Sequence, residues 1–258
     1  MTEEKGPTEP RTIVVTGAGS GIGRAIACRL AATGDRVALV GRREDSLRET
    51  SEAAGGTTLS VPCDVGDRSS LDTAFDRIRD EFGPLHATIV NAGIGGPNEP
   101  GASDRWSEVL RTNLNGAYYT VRAFERTAAE GPNPRHAIVI SSCLARFGVP
   151  GYTAYCASKA GVLGMVRAFA HELAPKGILV NAICPGWVDT DMAREGMEKL
   201  ASALGTRYEE ARRMALEQVP LGKMSEPDEV AGLVSFLLSD DARSITGATL
   251  DQNAGSWM

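Results

Sequence analysis

From Arg11 onward, short runs of apolar, largely β-branched residues alternate with longer segments whose apolar positions recur at helical spacing. The runs predict seven strands: Thr12 to Thr16, Arg36 to Val40, Thr57 to Pro62, Ala87 to Asn91, His136 to Ser141, Leu179 to Ile183 and Thr249 to Asp251. The periodic segments predict helices over Gly23 to Thr33, Glu44 to Ala53, Ser69 to Phe82, Ser103 to Glu130, Tyr155 to Ala174 and Pro227 to Ser239. Such alternation is the signature of stacked βαβ units. The expected fold class is therefore α/β: a doubly wound, seven-stranded parallel sheet with helices on both faces.

One stretch breaks the rhythm. Thr190 to Gln218 follows a strand but is long, helical, Met-rich and interrupted by Gly196 and Gly205. It reads as an insertion over the C-terminal strand ends, where ligands bind in open α/β sheets, and it suits a helical lid. A plain helical excursion packed on the sheet is the alternative. No boundary between domains is visible, so a single domain is expected over residues 11–258, with the lid at about 190–218 and an acidic, Pro-containing tail from Met1 to Pro10.

Charge and composition narrow the partners. The 258 residues carry 27 Lys plus Arg against 33 Asp plus Glu, a formal net charge of −6, which offers no basic footprint for nucleic acid. No run approaches the roughly 18 apolar residues that span a bilayer, and no segment pairs a basic face with exposed aromatics, so no membrane role is expected. With 42% apolar residues, a chain of this length buries enough surface to fold without disulfides or a structural metal. Cys28, Cys63, Cys143, Cys156 and Cys184 form no C-x-x-C pair and read as reduced thiols of a cytoplasmic protein. His86, His136 and His171 show no ligand spacing, and no metal is expected.

The first strand runs into Thr16-Gly17-Ala18-Gly19-Ser20-Gly21-Ile22-Gly23 and then a helical segment. A glycine turn between strand and helix lets backbone N–H groups and the positive end of the helix dipole approach a pyrophosphate, because no Cβ stands in the way. The spacing is Gly17-x-x-x-Gly21-x-Gly23. A tight turn without a ligand has the same residues, so the context decides. In a dinucleotide-binding sheet the end of the second strand meets the adenosine ribose, where an acid binds the 2′-hydroxyl. That end reads Leu39-Val40-Gly41-Arg42-Arg43. Two guanidinium groups there favour a 2′-phosphate and point to NADP, with NAD as the alternative if Glu44 and Asp45 neutralise the pair. Asp64, followed by Val65, is positioned to accept from an adenine amino group, and Asn91-Ala92-Gly93 forms a small-residue path beside the adenosine.

Tyr155 and Lys159 stand four apart at a helix start, after a strand that ends in Ser141-Ser142. They share one helix face, and an ammonium beside a phenol favours the phenolate, bringing tyrosine into range for acid–base work. The same spacing also describes an exposed surface pair. Its position after the fifth strand of a chain with a nucleotide-binding turn favours the chemical reading.

Together these residues resemble the short-chain dehydrogenase/reductase family, in its single-domain form, over Arg11 to Asp251. The likeness rests on Thr16 to Gly23, Asp64, Asn91-Ala92-Gly93, Asn113 within Thr112-Asn113-Leu114, Ser142, Tyr155, Lys159, and Asn181 to Thr190 with Pro185-Gly186. The resemblance implies a Rossmann-type sheet and a ketone–alcohol oxidoreductase. Tyr155 would protonate the carbonyl oxygen, Ser142 would hydrogen-bond it, and Lys159 would hold the nicotinamide ribose and lower the Tyr155 pKa. Asn113 would kink its helix and anchor a water that links Lys159 to solvent. Gly17, Gly19, Ser20, Gly21, Ile22 and Gly23 would hold the pyrophosphate end. Pro185, Gly186, Val188 and Thr190 would contact nicotinamide, Val188 through its backbone and Thr190 through its hydroxyl. The pattern departs from the family at Val90, where a second Asn is usual, and at Leu250 to Gly255, which replaces Val-Asp-Gly-Gly.

Candidate substrate contacts are Ile94 to Asn98, Cys143 to Tyr152, Trp187, and Met192, Met197, Leu200, Tyr208 and Met214, although helical spacing also suits the last set to core packing. Cys184 to Met192 with Val219 to Lys223 resembles reductases of 3-oxoacyl thioesters and polyketides. The leading expectation is an NADP-dependent reduction of such a ketone. A NAD-dependent secondary-alcohol dehydrogenase and a cofactor-binding regulator without turnover are the alternatives. Pairing of the two long helices across two-fold axes, as in the family's tetramers, predicts a homotetramer or homodimer.

Overall fold

The first strand, β1 (Thr12–Thr16), is buried at every position, as expected of a strand covered on both faces. A glycine turn leads to α1 (Gly21–Ala32), followed by β2 (Arg36–Gly41), α2 (Glu44–Ala54), β3 (Thr58–Pro62), α3 (Arg68–Phe82) and β4 (Ala87–Val90). Then come α4 (Trp106–Leu110), α5 (Gly116–Thr127), β5 (Arg135–Ile140), α6 (Thr153–Leu173) and β6 (Ile178–Pro185). The chain closes with α7 (Asp191–Leu204), α8 (Tyr208–Glu217), α9 (Pro227–Leu237) and β7 (Thr249–Gln252). This computed structural model describes residues 10–257. The tail expected over Met1 to Pro10 therefore lies, except for Pro10, outside the described residues.

All seven strands join one parallel sheet in the order β3-β2-β1-β4-β5-β6-β7. The α/β class and the seven-stranded sheet are as expected. Order reverses between β1 and β4, so their C-terminal ends flank the crevice in which sheets of this kind bind ligands. Two apolar layers cover the faces. One gathers Phe75, Val121, Phe124, Val166 and Phe169, and the other Ile26, Leu30, Val230 and Val234.

Two expectations are corrected. The segment Ser103 to Glu130 is not one continuous helix: a π turn over Arg111–Asn115 separates α4 from α5. Its start is delayed to Trp106 because Asp104 accepts the Trp106 N–H at 2.8 Å and Asn98 accepts that of Arg105 at 2.9 Å. It stops at Thr127 because Ala128 turns extended and bridges to Leu85. Gly196 interrupts nothing, since it lies inside α7. Gly205, at φ +63, is where that helix ends.

Candidate active site

The crevice between β1 and β4 opens into a groove lined by Gly17, Gly19, Ser20, Gly21, Ile22, Arg42, Arg43, Asp64, Val65, Asn91, Ala92 and Gly93. The residues expected at the adenosine and pyrophosphate end therefore face one space, except Gly23, which is packed behind the turn against the Gly17 carbonyl. Gly41, Ser46, Leu47, Cys63, Ile94, Thr112, Thr190, Asp191 and Met192 complete it. Ser46 carries no motif that would have singled it out, whereas Thr112 belongs to the Thr112-Asn113-Leu114 motif.

The glycine turn is built by contacts that admit no side chain. Gly17 has φ +68, and a Cβ on Gly23 would stand 2.2 Å from the Gly17 carbonyl oxygen. Asn91 supports the turn from β4: its Nδ2 donates to the Thr16 carbonyl at 3.0 Å and to that of Gly17 at 3.3 Å. The Thr16 hydroxyl accepts the N–H groups of Asn91 and Ala92 at 3.0 and 3.1 Å. The N-cap of α1, Ser20, makes no side-chain capping bond, and no acid occupies the first turn. The helix thus points uncompensated donors and a positive dipole into the groove, which fits a pyrophosphate. A Cβ on Gly21 would stand 3.0 Å from the Thr190 methyl, so the start of α7 lies across this turn.

At the ribose end Arg42 and Arg43 line the groove, and among the described residues neither forms an ion pair. Asp45 pairs instead with Arg48 at 2.9 Å. Neutralisation by that acid, which would favour NAD, does not occur. Asp64 is less free than expected. Both terminal nitrogens of Arg111 donate to its Oδ2 at 3.0 Å, and its Oδ1 accepts the Gly66 N–H at 2.9 Å. Those bonds hold its pKa below the ordinary aspartate value although burial works the other way.

The chemical cluster sits at the ends of β4 and β5 and on α6. Lys159 is buried, and its ammonium donates to the Ile140 carbonyl at 2.9 Å. Its Nζ lies 5.7 Å from the centre of the Tyr155 ring, as one helix turn between them dictates. The Ser141 hydroxyl ties the two elements together by donating to the Lys159 carbonyl at 3.0 Å, a role the sequence did not single out. Ser142 opens a short helical turn, its Oγ accepting the Leu144 N–H at 3.1 Å. Asn113 lies in the π turn and clamps the loop after β4: Oδ1 accepts the Ile94 N–H at 2.8 Å, and Nδ2 donates to the Ile94 carbonyl at 3.0 Å and to Ser158 Oγ at 3.2 Å.

Electrostatics correct one expectation. Tyr155 is half-buried as a residue, and desolvation pushes its phenol up to about 12, with a hydrogen bond to Ser142 pulling the other way. Burial also brings the Lys159 ammonium down to about 8. Desolvation outweighs the expected pull of the ammonium on the phenol, so Tyr155 carries its proton at neutral pH. That is the form a proton donor needs.

The β6 end also differs in detail. Gly186 is pressed against the C-terminal segment, where a Cβ would meet the Asn253 backbone at 2.9 Å, and its N–H donates to the Gln252 carbonyl. Val188 bridges to Ser225 through the groups of Trp187 and Asp189, so its own amide and carbonyl face away from that bridge. The Thr190 hydroxyl donates to the Val188 carbonyl at 3.2 Å and caps α7 by accepting the Ala193 N–H at 3.3 Å. Trp187 packs against Ala193, Leu216, Val219 and Met224, not along the groove. Met197 is fully buried, whereas Met192 and Met214 are exposed. Met192 overhangs the loop after β4. A Cβ on Gly95 would stand 3.1 Å from its sulfur and 3.9 Å from the Tyr155 ring.

The family model described as enoyl-(acyl carrier protein) reductase matches residues 17–256, spanning the glycine turn, the tyrosine–lysine pair, α7 and α8. The chain belongs to the short-chain dehydrogenase/reductase family. Among its relatives in that family, the 3-oxoacyl-[acyl-carrier-protein] reductase of Escherichia coli is 35% identical over 252 residues, covering 97% of this chain and 98% of the relative. A ketoacyl reductase of the monensin polyketide synthase from Streptomyces virginiae is 38% identical over 251 residues, covering 95% and 96%. A solved variant of the actinorhodin polyketide ketoreductase with NADPH superposes with a TM-score of 0.89 at 32% identity, covering 96% of this chain and 97% of that one. As a short-chain dehydrogenase/reductase, the chain is an oxidoreductase. Among its described residues no helix is long and apolar enough to cross a membrane, no group of three or more His, Cys, Asp or Glu is arranged to hold a metal, and the five cysteines are unpaired.

Proposed function

We propose that this protein is an NADPH-dependent ketoreductase acting on a 3-oxoacyl thioester or a polyketide-like ketone. The observation that carries the reading is the cluster of Ser142, Tyr155 and Lys159 at the inner end of a glycine-cradled groove. A Cβ on Gly93, which lines that groove, would stand 3.5 Å from Lys159 Nζ. NADPH, when bound, supplies a hydride. Tyr155 holds a proton on its phenol oxygen and delivers it to the carbonyl oxygen, which Ser142 polarises from its Oγ. Lys159 lies within reach of a ribose bound beside Gly93 and keeps positive charge near the phenol. Asn113 fixes the loop at Ile94, and with it the wall against which the ketone rests. Val188, through its outward-facing backbone, and Thr190 would hold the carboxamide of the nicotinamide ring, with Pro185 and Gly186 supporting them. The single domain over residues 11–258 is closed by α7 and α8 acting as a lid, for which the contact of Met192 with the Gly95 loop is the support. Five unpaired cysteines suit a cytoplasmic setting.

The assay is oxidation of NADPH and NADH with acetoacetyl thioester and with a bulky free ketone. Turnover with NADPH on either ketone is expected. A clear NADH preference, or oxidation of alcohols only, overturns the reading in favour of a secondary-alcohol dehydrogenase. The unpaired arginines make a sharper forecast: Arg42→Ala or Arg43→Ala alone is expected to lower the preference for NADPH over NADH by roughly 10- to 100-fold, and the double variant by roughly 10²- to 10⁴-fold, since each charge-assisted bond to the 2′-phosphate contributes about 1.5–3 kcal/mol.

A homodimer or homotetramer built on α5 and α6 is also proposed. Tyr118, on α5, is exposed and stacks at 5.7 Å on Phe169, which is buried on α6, leaving a tyrosine ring exposed where the two helices meet. Light scattering at micromolar concentration should give two or four chains; a monomer rules this out.

A further inference from the structure

Two cations face each other at the mouth of the cleft, and neither has a part in the chemistry described above. Around the position that a Cβ on Gly96 would occupy, Arg105 Nη1 lies at 3.2 Å and Lys199 Nζ at 3.4 Å. The two nitrogens therefore lie no more than about 6.6 Å apart, the sum of 3.2 and 3.4 Å, a separation that one carboxylate or phosphate placed between them and clear of Gly96 can bridge. Arg105 precedes α4 and is held in place: its Nη1 donates to the Gly95 carbonyl at 3.0 Å and its Nε to Glu108 at 2.9 Å. Lys199 comes from the opposite side, on α7, and has no hydrogen-bond or ion-pair partner among the described residues. Like charges this close repel each other, and Glu108 compensates only the arginine.

We propose that Arg105 and Lys199 form a subsite for an anionic oxygen group, a carboxylate or a phosphate, carried by the ketone substrate away from its reacting carbonyl. This rests on the ketoreductase reading and extends it to the substrate's class. The distances set the span. Gly95, the neighbour of Gly96, is the residue whose Cβ position lies 3.9 Å from the Tyr155 ring. With consecutive Cα atoms about 3.8 Å apart, the cation pair lies no more than about 14 Å from the phenol ring. That reach suits a carboxylate several bonds from the ketone better than a phosphate at the end of an extended pantetheine arm.

The two cations also stand on parts of the molecule that meet over the substrate. Arg105 belongs to the loop that follows β4, and Lys199 to the helix whose Met192 overhangs that loop. An anion between them converts repulsion across the mouth into a bridge, so an acidic substrate favours the closed arrangement by its own charge.

The test compares kcat/KM with NADPH for oxoheptanoate and its methyl ester, and for acetoacetyl pantetheine with and without its phosphate. The wild type is expected to prefer the charged member of at least one pair by about tenfold or more, with the preference shrinking at high salt. Lys199→Ala should collapse that charged-to-neutral ratio, Lys199→Glu should invert it, and Lys199→Arg should restore it. A preference confined to the keto acid identifies a carboxylate, and one confined to the phosphorylated thioester identifies a phosphate. Equal rates on charged and neutral ketones, or a ratio indifferent to Lys199, overturns the subsite while the ketoreductase reading stands. Failure of the wild type to reduce any of the four overturns both.

Discussion

Replacing Tyr155 with phenylalanine is expected to lower kcat for ketone reduction by roughly 10²- to 10⁴-fold, the usual cost of losing a positioned proton donor. The ring would stay on α6 with its neighbours intact, because only the hydroxyl and its bond to Ser142 are removed. Nucleotide affinity, followed by fluorescence titration, should change far less than kcat, since Tyr155 lies outside the wall of the groove. With the phenol held up to about 12, wild-type reduction should show no acid limb from this group and no loss of its proton below that pH. A variant that reduces ketones within threefold of wild type would remove Tyr155 from the chemistry.

Lys159→Met should separate activity from stability. Loss of the ammonium beside the reacting oxygen is expected to cost about 10²- to 10³-fold in kcat/KM. Stability moves the other way. The folded protein holds Lys159 at about 8, below its ordinary 10.5, so between those values the unfolded chain binds a proton that the folded chain has released. Stability contributed by this group therefore rises with pH across that window, and below it the folded state carries the full cost of a buried charge. Methionine removes that cost and gives up the bond to the Ile140 carbonyl. The net expectation is a gain on the order of 2 kcal/mol at neutral pH, read by denaturant unfolding at pH 7 and again near pH 10, where the gain should shrink. A variant less stable than wild type at both pH values would show that the bond to Ile140 outweighs the desolvation.

How far the sequence speaks depends on whether a residue's role is local. The strands were legible because β1 and β4 are buried at every position, which leaves runs of apolar and β-branched residues without a charge, and the turn from Thr16 to Gly23 was legible because its steric demand falls on adjacent residues. The partners of Asp64 and Asn113 were not. Arg111 is 47 positions from Asp64, and Ile94 is 19 from Asn113, and nothing in either segment announces the other. The tyrosine–lysine pair was legible as a pair, yet the direction of the phenol's shift was not. It depends on how much protein surrounds the ring, which spacing along one helix does not report. Trp187 likewise turned toward α7 and α8, because the apolar cluster of Leu216, Val219 and Met224 that receives it is assembled only by the fold.

The π turn at Arg111–Asn115 has a consequence for everything beyond it. A π turn holds one residue more than the α-helical path it replaces, so α5 is rotated by about 100° relative to the continuation of α4. The apolar stripe of the segment is therefore out of phase between its two halves: Val109 faces inward on one count, and Val121 and Phe124 face inward on another. A seamless helix through the same residues would keep a single phase and would have to turn either Asn113 away from Ile94 or Phe124 away from the sheet. The extra residue lets one helical rod serve two masters, a polar clamp on the loop after β4 and an apolar face on the core.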